Sequence, residues 1–151
     1  MATKQIVVFK LLDQEYSIDI MKVLEIVNYE PIRKVPEVPS YIEGIINLRG
    51  TIYPILNLRT RLHMPQNESI DATKIILMNL EETRVGFMVD SVCEILNVEE
   101  EEIEQTPNML EKYESRYING IIKKEDKMIV IFDEDLLLAE NDEQVLAETA
   151  Q

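Results

Sequence analysis

The chain holds one cysteine, Cys93, and one histidine, His63, and so has little from which to build a reactive centre. Nucleophilic catalysis needs a Cys, Ser or Lys activated by a nearby base. Cys93 lies in an aliphatic run with Val92, Ile95 and Leu96 and reads as a buried small hydrophobe. His63, between Leu62 and Met64-Pro65, reads as a solvated loop histidine at the end of an element. A hydrolase built on these two residues is the enzymatic alternative, and it requires fast thiol labelling at neutral pH. With a single Cys there is neither an internal disulfide nor a Cys/His zinc cluster. The only glycines are Gly44, Gly50, Gly86 and Gly120, and no phosphate-cradling or nucleophile-elbow pattern occurs. Carboxylates crowd the run Glu99 to Glu104, but without the alternating ligands and mid-loop glycine of a calcium loop. The expectation is a protein without catalysis, metal or cofactor.

What surrounds these residues is acidic. Fifteen Lys and Arg face 29 Asp and Glu among 151 residues, a net charge of −14. A nucleic-acid backbone rewards clustered cations, and a field of this sign repels it; the chain also lacks an interleaved basic and aromatic stripe. A small-barrel nucleic-acid-binding protein is therefore the weaker alternative, to be dismissed by failure to shift oligonucleotides at low salt. Anionic membrane surfaces meet the same objection. No leader pattern or apolar run of membrane-spanning length is found, so the expected location is cytoplasmic. At 46% hydrophobic residues the chain is too apolar to be disordered by composition.

The elements that must position any site are written twice. Residues 5–28 align without a gap to residues 74–97, with identities at Ile6/Ile75, Leu11/Leu80, Val23/Val92, Glu25/Glu94, Ile26/Ile95 and Asn28/Asn97. Tyr41-Ile42-Glu43-Gly44-Ile45-Ile46 then recurs as Tyr117-Ile118-Asn119-Gly120-Ile121-Ile122, and a weaker match runs on from Ile55/Ile131 to Leu62/Leu138. Two blocks in the same order indicate a duplicated unit of about 70 residues. Each copy reads as short strands. Ile6 to Leu11 and Glu15 to Ile20 flank Asp13-Gln14 as a hairpin, and Ile75 to Leu80 and Arg84 to Val89 flank Glu82-Thr83 likewise. A second pair, Gly44 to Leu48 and Thr51 to Asn57, turns at Arg49-Gly50, where glycine suits a type I′ or II turn; its counterpart turns at Glu125-Asp126. Met21 to Ile26 fits a helical turn leading into a third strand, which periodicity alone does not settle.

About five short strands per copy predict an all-β fold of two packed five-stranded barrels, with short helical segments and a C-terminal helix. The expected subdomains are residues 5–69 and 70–138, followed by a helix or tail over 139–151. Pro31, Pro36 and Pro39 mark Tyr29 to Ser40 as a long loop, and Val98 to Arg116 is its longer counterpart.

The duplication serves as an internal control, because a residue needed only for the shared fold is replaceable by its counterpart's type. Arg49 stands opposite Glu125, Cys93 opposite Leu24 and Arg61 opposite Leu137. Arg49 is thus not demanded by the architecture, and with Lys34, Arg59 and Arg61 it forms the expected cationic surface of the first copy. A partner-binding arginine and an idle surface arginine fit this comparison equally well. Met21, Val23 and Leu24 are open to either an exposed or a core reading.

The stretch Glu15-Tyr16-Ser17-Ile18-Asp19-Ile20, then Lys22-Val23-Leu24-Glu25-Ile26, Val35-Pro36 and Tyr41 to Arg59 with its Gly44-x-x-Asn47-Leu48-Arg49-Gly50-x-x-x-Pro54 core, resembles the CheW-like family of chemotaxis coupling proteins. Val85 to Val92 is similar to that family's second-half signature, so the resemblance covers roughly residues 5–138. It implies SH3-like barrels and a non-enzymatic adaptor that joins the cytoplasmic tips of methyl-accepting chemoreceptors to the regulatory domain of the histidine kinase CheA. By the same resemblance, Arg49, Val23, Glu25 and Gly44 fall at receptor-binding positions and Met21 and Leu24 near the kinase-binding surface. A related adaptor of a non-chemotactic array is the alternative within the family. Asn57 carries no functional weight, because Asp133 stands at the same place in the second copy.

Overall fold

A computed structural model of the chain describes residues 3–65, 73–80, 83–104, 117–124 and 126–134. The expected tail over 139–151 and the stretch 105–116 of the long second loop lie outside the described residues. In chain order the elements are β1 (Thr3–Leu11), β2 (Gln14–Asp19), a 3-10 turn (Ile20–Lys22), β3 (Val23–Asn28), β4 (Ile42–Leu48), β5 (Thr51–Asn57) and α1 (Leu58–Arg61). There follow β6 (Lys74–Leu80), β7 (Thr83–Val89), β8 (Ser91–Glu99), a second 3-10 turn (Glu100–Glu102), β9 (Ile103–Glu104), β10 (Ile118–Lys124) and β11 (Lys127–Phe132). Met21 to Ile26 is thus a short helical turn running into a strand. Where the second long loop opens, Val98 and Glu99 still belong to β8 and the Glu run that follows is wound into the 3-10 turn before β9.

The strands form one sheet of order β8-β1-β2-β11-β10-β9 and another of order β3-β6-β7-β5-β4. By the sequence duplication β1 corresponds to β6, β2 to β7, β3 to β8, β4 to β10 and β5 to β11. Substituting each strand by its counterpart turns the first five-strand order into the second, and β9 adds a two-residue sixth strand to the first. The correspondence extends to register. The parallel junction β2–β11 sets Ser17 against Ile131, and β7–β5 sets Gly86 against Ile55, the same two positions of the repeat. Both long hairpins carry a register shift at the same place, Ile42/Gly44 in one and Ile118/Gly120 in the other.

Each sheet therefore combines the first hairpin of one copy with the third, fourth and fifth strands of the other. One compact unit draws on Met1–Met21 and Val92–Leu137, and the other contains Lys22–Ser91. These boundaries fall at 21/22 and 91/92, whereas the sequence copies divide near 69/70. The parallel junctions account for the difference. Parallel neighbours cannot be joined by a tight turn, and here both parallel pairs unite strands of different copies.

Apolar alternation builds a separate core in each unit. In the first, Ile6, Val8, Val98, Ile122, Ile129 and Ile131 are fully buried together. Phe9, Tyr16 and Phe132 stack beside one another, the last two with ring centroids 4.9 Å apart and an interplanar angle of 4°. In the second, Ile46, Tyr53, Ile55, Ile75 and Leu77 pack with Val27, Ile32, Leu48 and Met88 around them. Each buried aliphatic side chain is worth about 1.5–3 kcal/mol, and both cores draw such side chains from both copies. Among the described residues no helix is long and apolar enough to cross a membrane.

Candidate protein-binding site

The β4–β5 hairpin pairs Leu48 with Thr51, leaving Arg49 and Gly50 as its two turn residues. Both have positive φ, 50° and 87°, which identifies a type I′ turn. The Gly50 N–H donates to Asn47 Oδ1 at 3.0 Å and closes the turn. Held at this tip, the Arg49 side chain is 69% exposed, and its Nη2 donates to Glu25 Oε2 on β3. Two of the predicted site residues, 24 positions apart in sequence, are thus an ion pair. An exposed pair of this kind contributes about 0–1 kcal/mol, too little to explain the arginine as a fold requirement. The repeat places Glu125 and Glu94 at the equivalent positions, a like-charged couple that cannot form the bond.

The other predicted residues occupy three kinds of position. Val23 is half-buried at the start of β3, the edge strand of its sheet, opposite Met78. Leu24 on the same strand is 49% exposed, and Met21 on the preceding 3-10 turn is 86% exposed. Gly44 is buried at the bulge in β4 with φ +150°, where a Cβ would stand 2.1 Å from the Arg33 carbonyl oxygen. The backbones of Arg33 and Ile45 bond reciprocally at 2.9 Å beside it, so only glycine lets that loop close against β4. Ile26 and Ile52, each 38% exposed in the same unit as Arg49, add to this surface, although the motifs that contain them mark neither as a site residue. The one available signal was alternation along β3, which sends Leu24 and Ile26 outward and Val27 toward the core.

Two expectations are corrected. Cys93 is exposed, not a buried small hydrophobe. It stands on β8 where Leu24 stands on β3, and both face outward; an aliphatic run on an edge strand has an outer row as well as an inner one. Burial and the Glu15 charge nevertheless raise the thiol above its ordinary pKa, the opposite of an activated nucleophile. Arg59 is 8% exposed and contributes no cationic surface. Its Nε donates to Asp90 Oδ1 at 2.7 Å, Nη2 to Asp90 Oδ2, and Nη1 to the Pro65 carbonyl at 3.0 Å. Arg61 lies over the Tyr41 ring at 4.6 Å. His63 is exposed, as expected. Asn57 is structural: its Oδ1 caps α1 through the Thr60 N–H, and its Nδ2 donates to Glu43 at 2.7 Å.

Among the described residues no group of three or more His, Cys, Asp or Glu is arranged to hold a metal ion. The geometry offers a charged pair on a rigid hairpin tip, with exposed aliphatic side chains on the strands of the same unit. That combination suits recognition of another protein.

Residues 5–142 match the CheW-like domain family model. The chain is 34% identical to the chemotaxis protein CheW of Bacillus subtilis over 141 residues, which is 93% of this chain and 90% of that protein. It is 33% identical to the chemotaxis protein CheW of Treponema pallidum over 147 residues, 95% and 86% of the two chains. The structure resembles that of the scaffolding protein TtCheW from Thermoanaerobacter tengcongensis with a TM-score of 0.85 at 35% identity, covering 97% of this chain and 95% of the other.

Proposed function

Given that the chain belongs to the CheW-like domain family, whose members are chemotaxis scaffolds and not enzymes, we propose that it couples methyl-accepting chemoreceptors to the regulatory domain of the histidine kinase CheA. In this reading the protein is cytoplasmic and is recruited to membrane-associated receptor arrays. Arg49 and Glu25 meet the receptor tip, Val23 and Gly44 fix the strands that carry them, and Met21 and Leu24 meet the kinase. Holding two partners on one adaptor raises their effective concentration for one another without any covalent step.

What carries this reading is the Asn47-Leu48-Arg49-Gly50 turn, whose arginine is exposed, tethered to Glu25 and not required by the repeat. An anchor arginine at a protein interface is worth about 2 kcal/mol or more, at least tenfold in affinity. Arg49→Glu is expected to weaken binding to a receptor-tip fragment at least tenfold and to reduce receptor-dependent kinase activation, with an unchanged circular dichroism spectrum. Wild-type activation by a folded Arg49→Glu protein overturns the assignment.

A further inference from the structure

The unit formed by residues 1–21 and 92–137 contains a surface groove of about 250 Å³, lined by Asp13, Gln14, Glu15, Lys127, Met128 and Val130. It lies where β2 and β11 run parallel, with Glu15 registered against Ile129 and Tyr16 against Val130. Three properties stand out. Glu15 is largely buried, its side chain 16% exposed, and its Oε2 is out of solvent with no hydrogen-bond partner among the described residues. A buried carboxylate oxygen left in that state is costly, by about 1–3 kcal/mol or more. The cation beside it, Lys127, reaches Oε1 only at 3.6 Å and is itself 59% exposed, so it is a loose cover. Along the rim Met128 is 59% exposed, and Leu12 at the adjoining hairpin tip is 42% exposed with a φ of 59°, an unfavourable backbone state for a leucine.

We infer that this groove is a docking site for a segment of a partner protein carrying an arginine flanked by aliphatic residues. The charge balance selects that occupant. Residues 1–21 and 92–137 contain 16 Asp and Glu against seven Lys and Arg, and Asp13 and Glu15 place part of that excess in the groove itself. A guanidinium offers several N–H donors in a planar fork, which suits it to replace Lys127 beside the Glu15 carboxylate in a groove that Asp13 also lines. The aliphatic neighbours cover Met128 and Leu12. The site is separate from the Arg49 turn, which belongs to the other unit, so its loss leaves the receptor reading untouched.

The probe is the capped tripeptide acetyl-Leu-Arg-Leu-amide, titrated into the isotope-labelled full chain and followed by amide chemical shifts. Saturable shifts centred on residues 12–15 and 127–130 are expected. Glu15→Gln, which keeps the side-chain volume, should weaken them at least fivefold with the rest of the spectrum unmoved. Lys127→Ala removes the competing cation and should strengthen binding about twofold or more. Acetyl-Leu-Glu-Leu-amide should produce no saturable shift. The proposal fails if the arginine peptide moves acidic surface residues indiscriminately, or if Glu15→Gln binds it like the parent. It fails equally if the groove amides shift with protein concentration alone, which would assign the surface to a second copy of the chain.

Discussion

The two compact units share a strand order, a bulge and a parallel junction, yet their surfaces have diverged. Residues 22–91 carry eight Lys and Arg against nine Asp and Glu, a net of −1. Residues 1–21 with 92–137 carry a net of −9. The nearly neutral unit holds the Arg49–Glu25 pair, and the acidic unit has glutamates at both equivalent positions. Apolar exposure was kept through the same divergence. Leu24, Ile26 and Ile52 in one unit correspond to Cys93, Ile95 and Met128 in the other, and all six are exposed. The duplicated scaffold thus fixes where side chains emerge, and the charges around them decide which partner each unit receives.

The largest expected effect separates what the scaffold demands in one unit from what it tolerates in the other. Gly44→Ala should destabilise the protein by about 3 kcal/mol or more, because its Cβ meets the Arg33 carbonyl at a φ of +150°. At the equivalent Gly120, which has no positive φ, the Cβ meets the Ile103 Cγ2 and, at 3.2 Å, the Glu104 carbonyl oxygen, a milder conflict, and Gly120→Ala should cost about 1–2 kcal/mol. Urea denaturation measures both, and equal losses would refute the distinction. Next comes Arg59→Met, which takes the guanidinium away from both carboxylate oxygens of the mostly buried Asp90 and should cost about 3 kcal/mol. Adding Asp90→Leu should recover most of that loss, and a double variant as unstable as the single one would show that packing, not charge, is at stake.

A smaller effect, on binding, bears on the two outward rows. Leu24→Asp should weaken association with the kinase regulatory domain at least tenfold by calorimetry, whereas the equivalent Cys93→Asp should leave it within twofold. Matching losses would mean that the units are interchangeable toward this partner. The smallest effect concerns Cys93 itself. Because burial and Glu15 raise its pKa, the thiolate appears at higher pH than in free cysteine. Alkylation of the native protein should therefore lag behind free cysteine at neutral pH and climb steadily through pH 9. A rate at pH 7 equal to that of free cysteine would contradict the shift.

Much of this architecture was legible in the residues. The gapless match of 5–28 to 74–97 placed the first hairpin of each copy, and Arg49-Gly50 marked a turn that proves to be type I′. The exchange of strands was not legible. Equivalent strands carry the same apolar pattern, so β1–β2 and β6–β7 satisfy either set of later strands as far as periodicity can tell. Charge was equally blind to distance: nothing local distinguishes Arg59, buried on Asp90, from Arg49, exposed on Glu25. The exposure of Cys93 is likewise hidden, because a run of aliphatic neighbours says nothing about which row of an edge strand faces water.

The strand exchange also sets the order in which the two units can be completed during synthesis. Every strand of the Arg49-bearing unit lies within residues 22–91, so all have left the ribosome well before the chain is finished. The hairpin at residues 3–19 emerges first but finds its parallel neighbour only when residues 127–132 arrive, and a lone hairpin is barely stable in water. A nascent chain is thus able to complete its arginine-bearing half while its earliest residues still wait for their last.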